Sequence, residues 1–105
     1  MAEFRPTLQS EAIDQLCDAF LRLKTREDCY RLFEDLCTPN EIEAMAQRLE
    51  VAQLLHRGAT YHEIVAQTGV STATISRINR CLTHGSGGYH IVLANDQTGE
   101  EPRES

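Results

Sequence analysis

Residues 60–82 read TYHEIVAQTGVSTATISRINRCL, and their reading decides the fold. The pattern predicts two short helices joined at Gly69-Val70, the second introduced by Ser71. In the first, Ile64 and Val65 are apolar and Thr68 follows one turn on. Gly69 reaches positive φ without a Cβ clash, which suits a sharp inter-helix turn. Val70 is placed to plug the angle, and the Ser71 hydroxyl to accept an orphan backbone N–H at the new N-terminus. In the second helix Ile75, Ile78 and Leu82 recur at helical spacing as a buried stripe. Thr72, Ala73, Ser76, Arg77 and Arg80 fall on another face. Small side chains there allow close approach to base edges, and arginines reach phosphates or guanine. The pattern is a helix-turn-helix whose second helix has the chemistry of a recognition helix. A helix-glycine-helix corner occurs in any small helical domain. Here the glycine, the valine, the serine cap and three apolar anchors fall at mutually consistent spacing, so DNA binding is the expectation.

Charge sharpens it. The net charge of −6 is unevenly spread. Residues 1–55 carry eleven acidic and six basic side chains, and residues 85–105 carry four acids against Arg103. Residues 56–84 hold Arg57, Arg77 and Arg80 against Glu63 alone, so the positive block coincides with the helix-turn-helix. Three arginines make a thin electrostatic footprint, because non-specific affinity comes from phosphate contacts and counterion release. Two copies on one duplex would double the contact set, which favours a homodimer.

A chain of 105 residues suits one domain, or a subunit whose core a partner completes. No apolar run approaches membrane-spanning length, and MAEFRPT lacks signal-peptide features, so a cytoplasmic protein without membrane contact is expected. Cys17, Cys29, Cys37 and Cys81 form no C-x-x-C pair and no ligand-like spacing with the histidines. Buried reduced thiols are expected, and no metal or cofactor.

Upstream, residues 8–24 predict a helix capped by Thr7 or Ser10, with Ile13, Leu16, Cys17, Phe20 and Leu23 as its apolar stripe. Thr25 can cap a second helix bearing Cys29, Leu32, Phe33 and Leu36, with Glu27 and Asp28 in its first turn. Two such stripes need more apolar surface than residues 60–82 provide, and a second copy would supply it. Thr38-Pro39-Asn40-Glu41 reads as a cap, a first-position proline and a capping box. A long helix should follow to Arg57, stopped by Gly58. Arg48, mid-helix, has no carboxylate at i±3 or i±4; it serves a ligand or is a plain solvated arginine. Residues 83–88 read as a flexible joint. Tyr89, Ile91, Val92 and Leu93 form a last apolar segment that fits helix or strand, a short packing helix being preferred. The organisation expected is an arm over 1–7, a dimerisation core over 8–58, a DNA-binding head over 59–83, a packing segment over 84–95 and a disordered acidic tail over 96–105.

These residues carry a resemblance. Leu36-Cys37-Thr38-Pro39-Asn40-Glu41, Arg48, Leu54-Leu55-His56-Arg57-Gly58 and Ala73-Thr74-Ile75-Ser76-Arg77 together resemble the Trp-repressor family, in its YerC/YecD-type branch, over roughly residues 8–95. The resemblance implies an all-α, intertwined helical homodimer that presents two helix-turn-helix heads to successive major grooves of an operator. It further implies base readers at Thr72, Ala73 and Ser76. In that family two arginines, matching Arg48 and Arg77, sandwich a tryptophan corepressor, and carbonyls matching Asp35, Cys37 and Thr38 of the other subunit receive its ammonium. The sequence departs from the tryptophan-binding members in three ways. Ile78 replaces a glycine beside the ligand, Cys81 replaces a ligand-holding serine, and the turn is one residue shorter. A smaller amino acid or related metabolite, or no effector, fits better than tryptophan, leaving Arg77 free to contact DNA.

The expectation is therefore a sequence-specific transcriptional regulator, a repressor of a biosynthetic operon, placing residues 71–82 in the major groove. Ser71, Thr72, Ala73, Ser76, Arg77 and Arg80 would contact the DNA. Arg48, Arg77, Cys37, Thr38, Ile78 and Cys81 are the candidate effector residues. The rivals are a helical protein-interaction module and a metal- or thiol-responsive regulator. An enzyme is not expected, since no H-E-x-x-H, phosphate loop, G-x-S-x-G or paired Cys/His signature occurs.

Overall fold

Helix starts in this chain coincide with residues that can cap them. The computed structural model describes residues 4–98, all of whose regular elements are helices: α1 (Glu11–Leu21), α2 (Arg26–Leu36), α3 (Pro39–His56), α4 (Tyr61–Thr68), α5 (Thr72–His84) and α6 (Gly88–Thr98). Ser10, Thr25, Thr60 and Ser71 each adopt extended backbone and accept a backbone N–H three residues on, at Ile13, Asp28, Glu63 and Thr74. Of the two caps open for α1, Ser10 takes the role, so the helix is shorter than the 8–24 expected: it begins at Glu11 and ends at Leu21.

The chain divides into two compact units, Met1–Pro39 and Asn40–Ser105. In the first, Phe20 of α1 meets Phe33 of α2 edge to face, with centroids 6.3 Å apart and rings at 68°. Neither helix contains a buried residue. The stripe therefore stays open: Ile13, Leu16 and Phe20 are each about two-fifths exposed.

The second unit holds the core. Val51 and Ala52 of α3, Ile64 of α4, Val70 of the turn, Ile75, Ile78 and Leu82 of α5, and Leu93 of α6 form one buried cluster. Burying an aliphatic side chain of this size contributes roughly 1.5–3 kcal/mol. α3 ends in a Schellman motif. Gly58 takes φ 93°, its N–H bonds the Leu55 carbonyl, and the Ala59 N–H bonds that of Leu54, both at 3.0 Å. Leu54 and Ala59, the apolar pair that accompanies this motif, both pack against the cluster. The long helix α3 falls in the same unit as the helix-turn-helix. Its Val51 and Ala52 are wholly buried in the cluster that α4 and α5 complete.

Two boundaries differ from expectation downstream. α5 continues two residues into the supposed joint, to His84; the last apolar segment is helix α6, the preferred assignment, with Gly87 at φ 88° before it. α6 reaches Thr98, inside the segment expected to be a disordered tail; residues 99–105 of that tail, and 1–3 of the arm, lie outside the described residues.

Candidate nucleic-acid interface

The corner between α4 and α5 is built from side chains that satisfy its backbone. α4 starts in a complete capping box: the Thr60 hydroxyl accepts the Glu63 N–H at 3.1 Å, and the Glu63 carboxylate accepts the Thr60 N–H at 2.8 Å. At its far end Gly69 takes φ 77°, and the Thr68 hydroxyl donates to the Ile64 carbonyl and accepts the Val70 N–H. Thr68 thereby bridges the turn and frees Val70 to sit in the core. Ser71 receives the Thr74 N–H at 3.2 Å and contacts the Thr74 hydroxyl at 3.1 Å. The two helices pack against one another through the cluster.

Three buried anchors fix which way α5 faces. With Ile75, Ile78 and Leu82 inside, Ser71, Thr72, Ala73, Ser76, Arg77 and Arg80 are all exposed. Neither the Arg77 nor the Arg80 guanidinium makes a hydrogen bond or ion pair with the described residues. Each is thus free to bond an external acceptor, and both stand on a helix without an acidic residue. Glu63, the one acid of the positive block, has its carboxylate committed to the α4 cap.

The candidate effector residues differ in exposure. Arg48, Arg77, Cys81 and Thr38 are exposed and Cys37 is half-buried, whereas Ile78 is 3% exposed within the core. The branched side chain of Ile78 belongs to the buried α5 stripe. Arg48 has no bonding partner among the described residues. All four thiols are free, as expected, but none is buried: Cys17 and Cys81 are exposed, and Cys29 and Cys37 are half-buried. Cys17 shares the uncovered stripe of α1, and Cys81 lies off the buried stripe of α5. Among the described residues no group of three or more His, Cys, Asp or Glu is placed to hold a metal ion. No helix there is long and apolar enough to cross a membrane.

Two features have little or no local signal in the sequence. The Thr60–Glu63 box is written there as T-x-x-E, although the apolar residues after Thr60 are too few to mark it as a start. The bond between His90 of α6 and the Leu82 carbonyl of α5, at 2.6 Å, has no local signature at all.

Comparison with known proteins agrees with this geometry. The family model for the Trp repressor protein matches residues 11–97. The chain is 52% identical over 98 residues to YerC of Bacillus subtilis strain 168, described as uncharacterized, covering 93% of this chain and 92% of YerC. It is similar to the crystal structure of a candidate Trp repressor from Staphylococcus aureus, with 46% identity, a TM-score of 0.79, and coverage of 91% and 94% of the two chains. A TrpR-like protein from Eubacterium eligens gives 45% identity and a TM-score of 0.80, over 91% of this chain and 97% of that one.

Proposed function

The chain belongs to the Trp repressor family, and on that premise we propose that it is a sequence-specific DNA-binding transcriptional regulator acting as a repressor. The observation that carries the reading is the outer face of α5. It is short-side-chained near the Ser71 cap, arginine-bearing beyond it, and unengaged by the rest of the described chain. Placed in a major groove, Thr72, Ala73 and Ser76 meet base edges, while Arg77 and Arg80 reach phosphates or guanine. The N-terminus of α5, where Thr72 and Ala73 are exposed, favours a phosphate.

The active species is a homodimer in the cytoplasm, each copy contributing one head. The exposed stripe of α1 and the half-exposed Met45 and Leu49 of α3 support this, being apolar surface that one copy leaves uncovered. An effector, where one acts, is an amino acid or related metabolite smaller than tryptophan that engages Arg48 and Arg77.

Selection of bound fragments from a random DNA pool, with and without a panel of amino acids, tests the proposal. A recovered common motif is expected, together with low-salt affinity for mixed genomic DNA that vanishes at high salt. Recovery of no DNA under either condition would leave the helix pair as a protein-interaction module.

A further inference from the structure

The last turn of α5 is held from outside the helix. Helix C-termini leave their final carbonyls without intrahelical donors. Here the Cys81 carbonyl accepts the Gly85 N–H at 3.0 Å, and the Leu82 carbonyl lies 2.6 Å from Nε2 of His90 on α6. A carbonyl can only accept, so His90 Nε2 carries the proton and donates. The contact is slightly shorter than the usual range for N–H···O bonds. The connection between the helices is shaped to permit it. A Cβ on Gly85 would run into the Cys81 carbonyl, and Gly87 adopts φ 88°, so a three-residue turn folds α6 back on α5. Leu93, 1% exposed, and the partly buried Tyr89 then seat α6 on the same cluster as Leu82.

We infer that His90 is a positioning residue for DNA recognition, acting through Leu82 to fix the end of α5 opposite its Ser71 cap. The inference rests on α5 being the recognition helix. A helix anchored only at its N-terminus and along its stripe can still rock at its far end. Base-edge hydrogen bonds from Thr72 and Ser76 tolerate little rocking while Arg80 is also engaged. Long arginine side chains on phosphates tolerate far more. The bond from α6 therefore contributes to sequence discrimination, and scarcely to general affinity for DNA.

The test uses the full chain and two substitutions, His90→Leu, which cannot donate, and His90→Gln, whose amide can. Three readouts are taken: affinity for a fragment that the wild type selects from a random pool, affinity for mixed-sequence DNA at low salt, and amide hydrogen exchange over residues 81–85. H90L should lose roughly fivefold to tenfold on the selected fragment, the worth of one hydrogen bond, and nothing on mixed DNA. It should also exchange faster over 81–85, and H90Q should restore both affinity and protection. Undiminished preference in H90L overturns the inference, as does an equal loss on both DNAs that glutamine does not rescue. Wild-type protein that binds no DNA would sink the regulatory reading itself. In that event unchanged exchange in H90L would separately refute the clamp.

Discussion

Gly69 sits at φ 77° and nothing lies within 4 Å of where its Cβ would stand, so the backbone alone sets the cost of replacing it. The left-handed region costs an L-residue roughly 1–2 kcal/mol, partly offset because alanine also stiffens the unfolded chain. Gly69→Ala should lower the unfolding free energy by about 1 kcal/mol in a urea titration, and Gly69→Asn by less. A neutral alanine would mean that the corner does not need its left-handed residue. On the recognition face the unpartnered arginines make a different prediction. Removing Arg80 breaks no internal bond, so Arg80→Ala should leave stability unchanged and weaken binding to every DNA sequence alike. The slope of log affinity against log salt should flatten by about one. An unchanged slope in an anisotropy titration would show that Arg80 does not reach a phosphate. Asp28 provides the residue-scale dependence on pH. Its carboxylate accepts the Lys24 N–H at 3.0 Å, which, helped by Thr25, holds its pKa below the ordinary 3.8. A pKa lower in the folded state than in the unfolded one stabilises above the unfolded value, and that contribution is lost as pH falls through the folded one. The stability gap between wild type and Asp28→Asn should therefore be constant at neutral pH and begin to close only below about pH 4. A carboxyl NMR titration with its midpoint at or above 3.8 would contradict this.

At the scale of elements, α4 has eight residues, far short of the length at which an isolated helix persists in water. It depends on Ile64 in the core and on its capping box, so Thr60→Ala, which removes half the box, should cost about 1 kcal/mol by thermal or urea unfolding. DNA affinity at saturating folded fraction should not change, since Thr60 lies outside α5. A neutral T60A would show that α4 is held by tertiary packing alone. What was legible in the sequence divides along the same line. Caps and stops are written in one or two residues, so Thr25 before α2, Pro39 opening α3, Gly58 ending it and Gly69-Val70-Ser71 at the corner could be read directly. The exposed side of α5 followed by elimination once Ile75, Ile78 and Leu82 were assigned inward. The end of α5 could not be read this way. Residues 83–88 look like a joint because glycine dominates them, yet the turn through His84 persists with His90 donating to it from eight residues beyond Leu82. Nor does periodicity say which unit a helix joins, as α3 shows. Its apolar positions run along most of its length, and Val51 and Ala52 are the ones fully buried.

For the whole molecule, the distribution of burial makes the strongest claim. Every fully buried hydrophobic among the described residues lies between Val51 and Leu93, and α1 and α2 contribute none. Two amphipathic helices with open stripes are not a stable end point in water, where large apolar patches mark surfaces that another chain covers. The thin positive block makes the same demand from the DNA side, since three arginines per copy give a shallow salt slope unless two copies bind together. Both support the proposed dimer, in which the α1 stripe is covered and two α5 helices are presented. Leu16 is the residue to change: it is 41% exposed, so a glutamate there can remain in water if the chain is single, but is desolvated if the stripe is an interface. Leu16→Glu should move the protein from dimer to monomer in sedimentation equilibrium and abolish the concentration dependence of its melting temperature. The salt slope for DNA should fall to about half, because half the phosphate contacts are lost. A variant that stays dimeric would place the interface elsewhere. One that becomes monomeric with an undiminished slope would show that a single copy carries all the contacts, and the second head would then have no part in recognition.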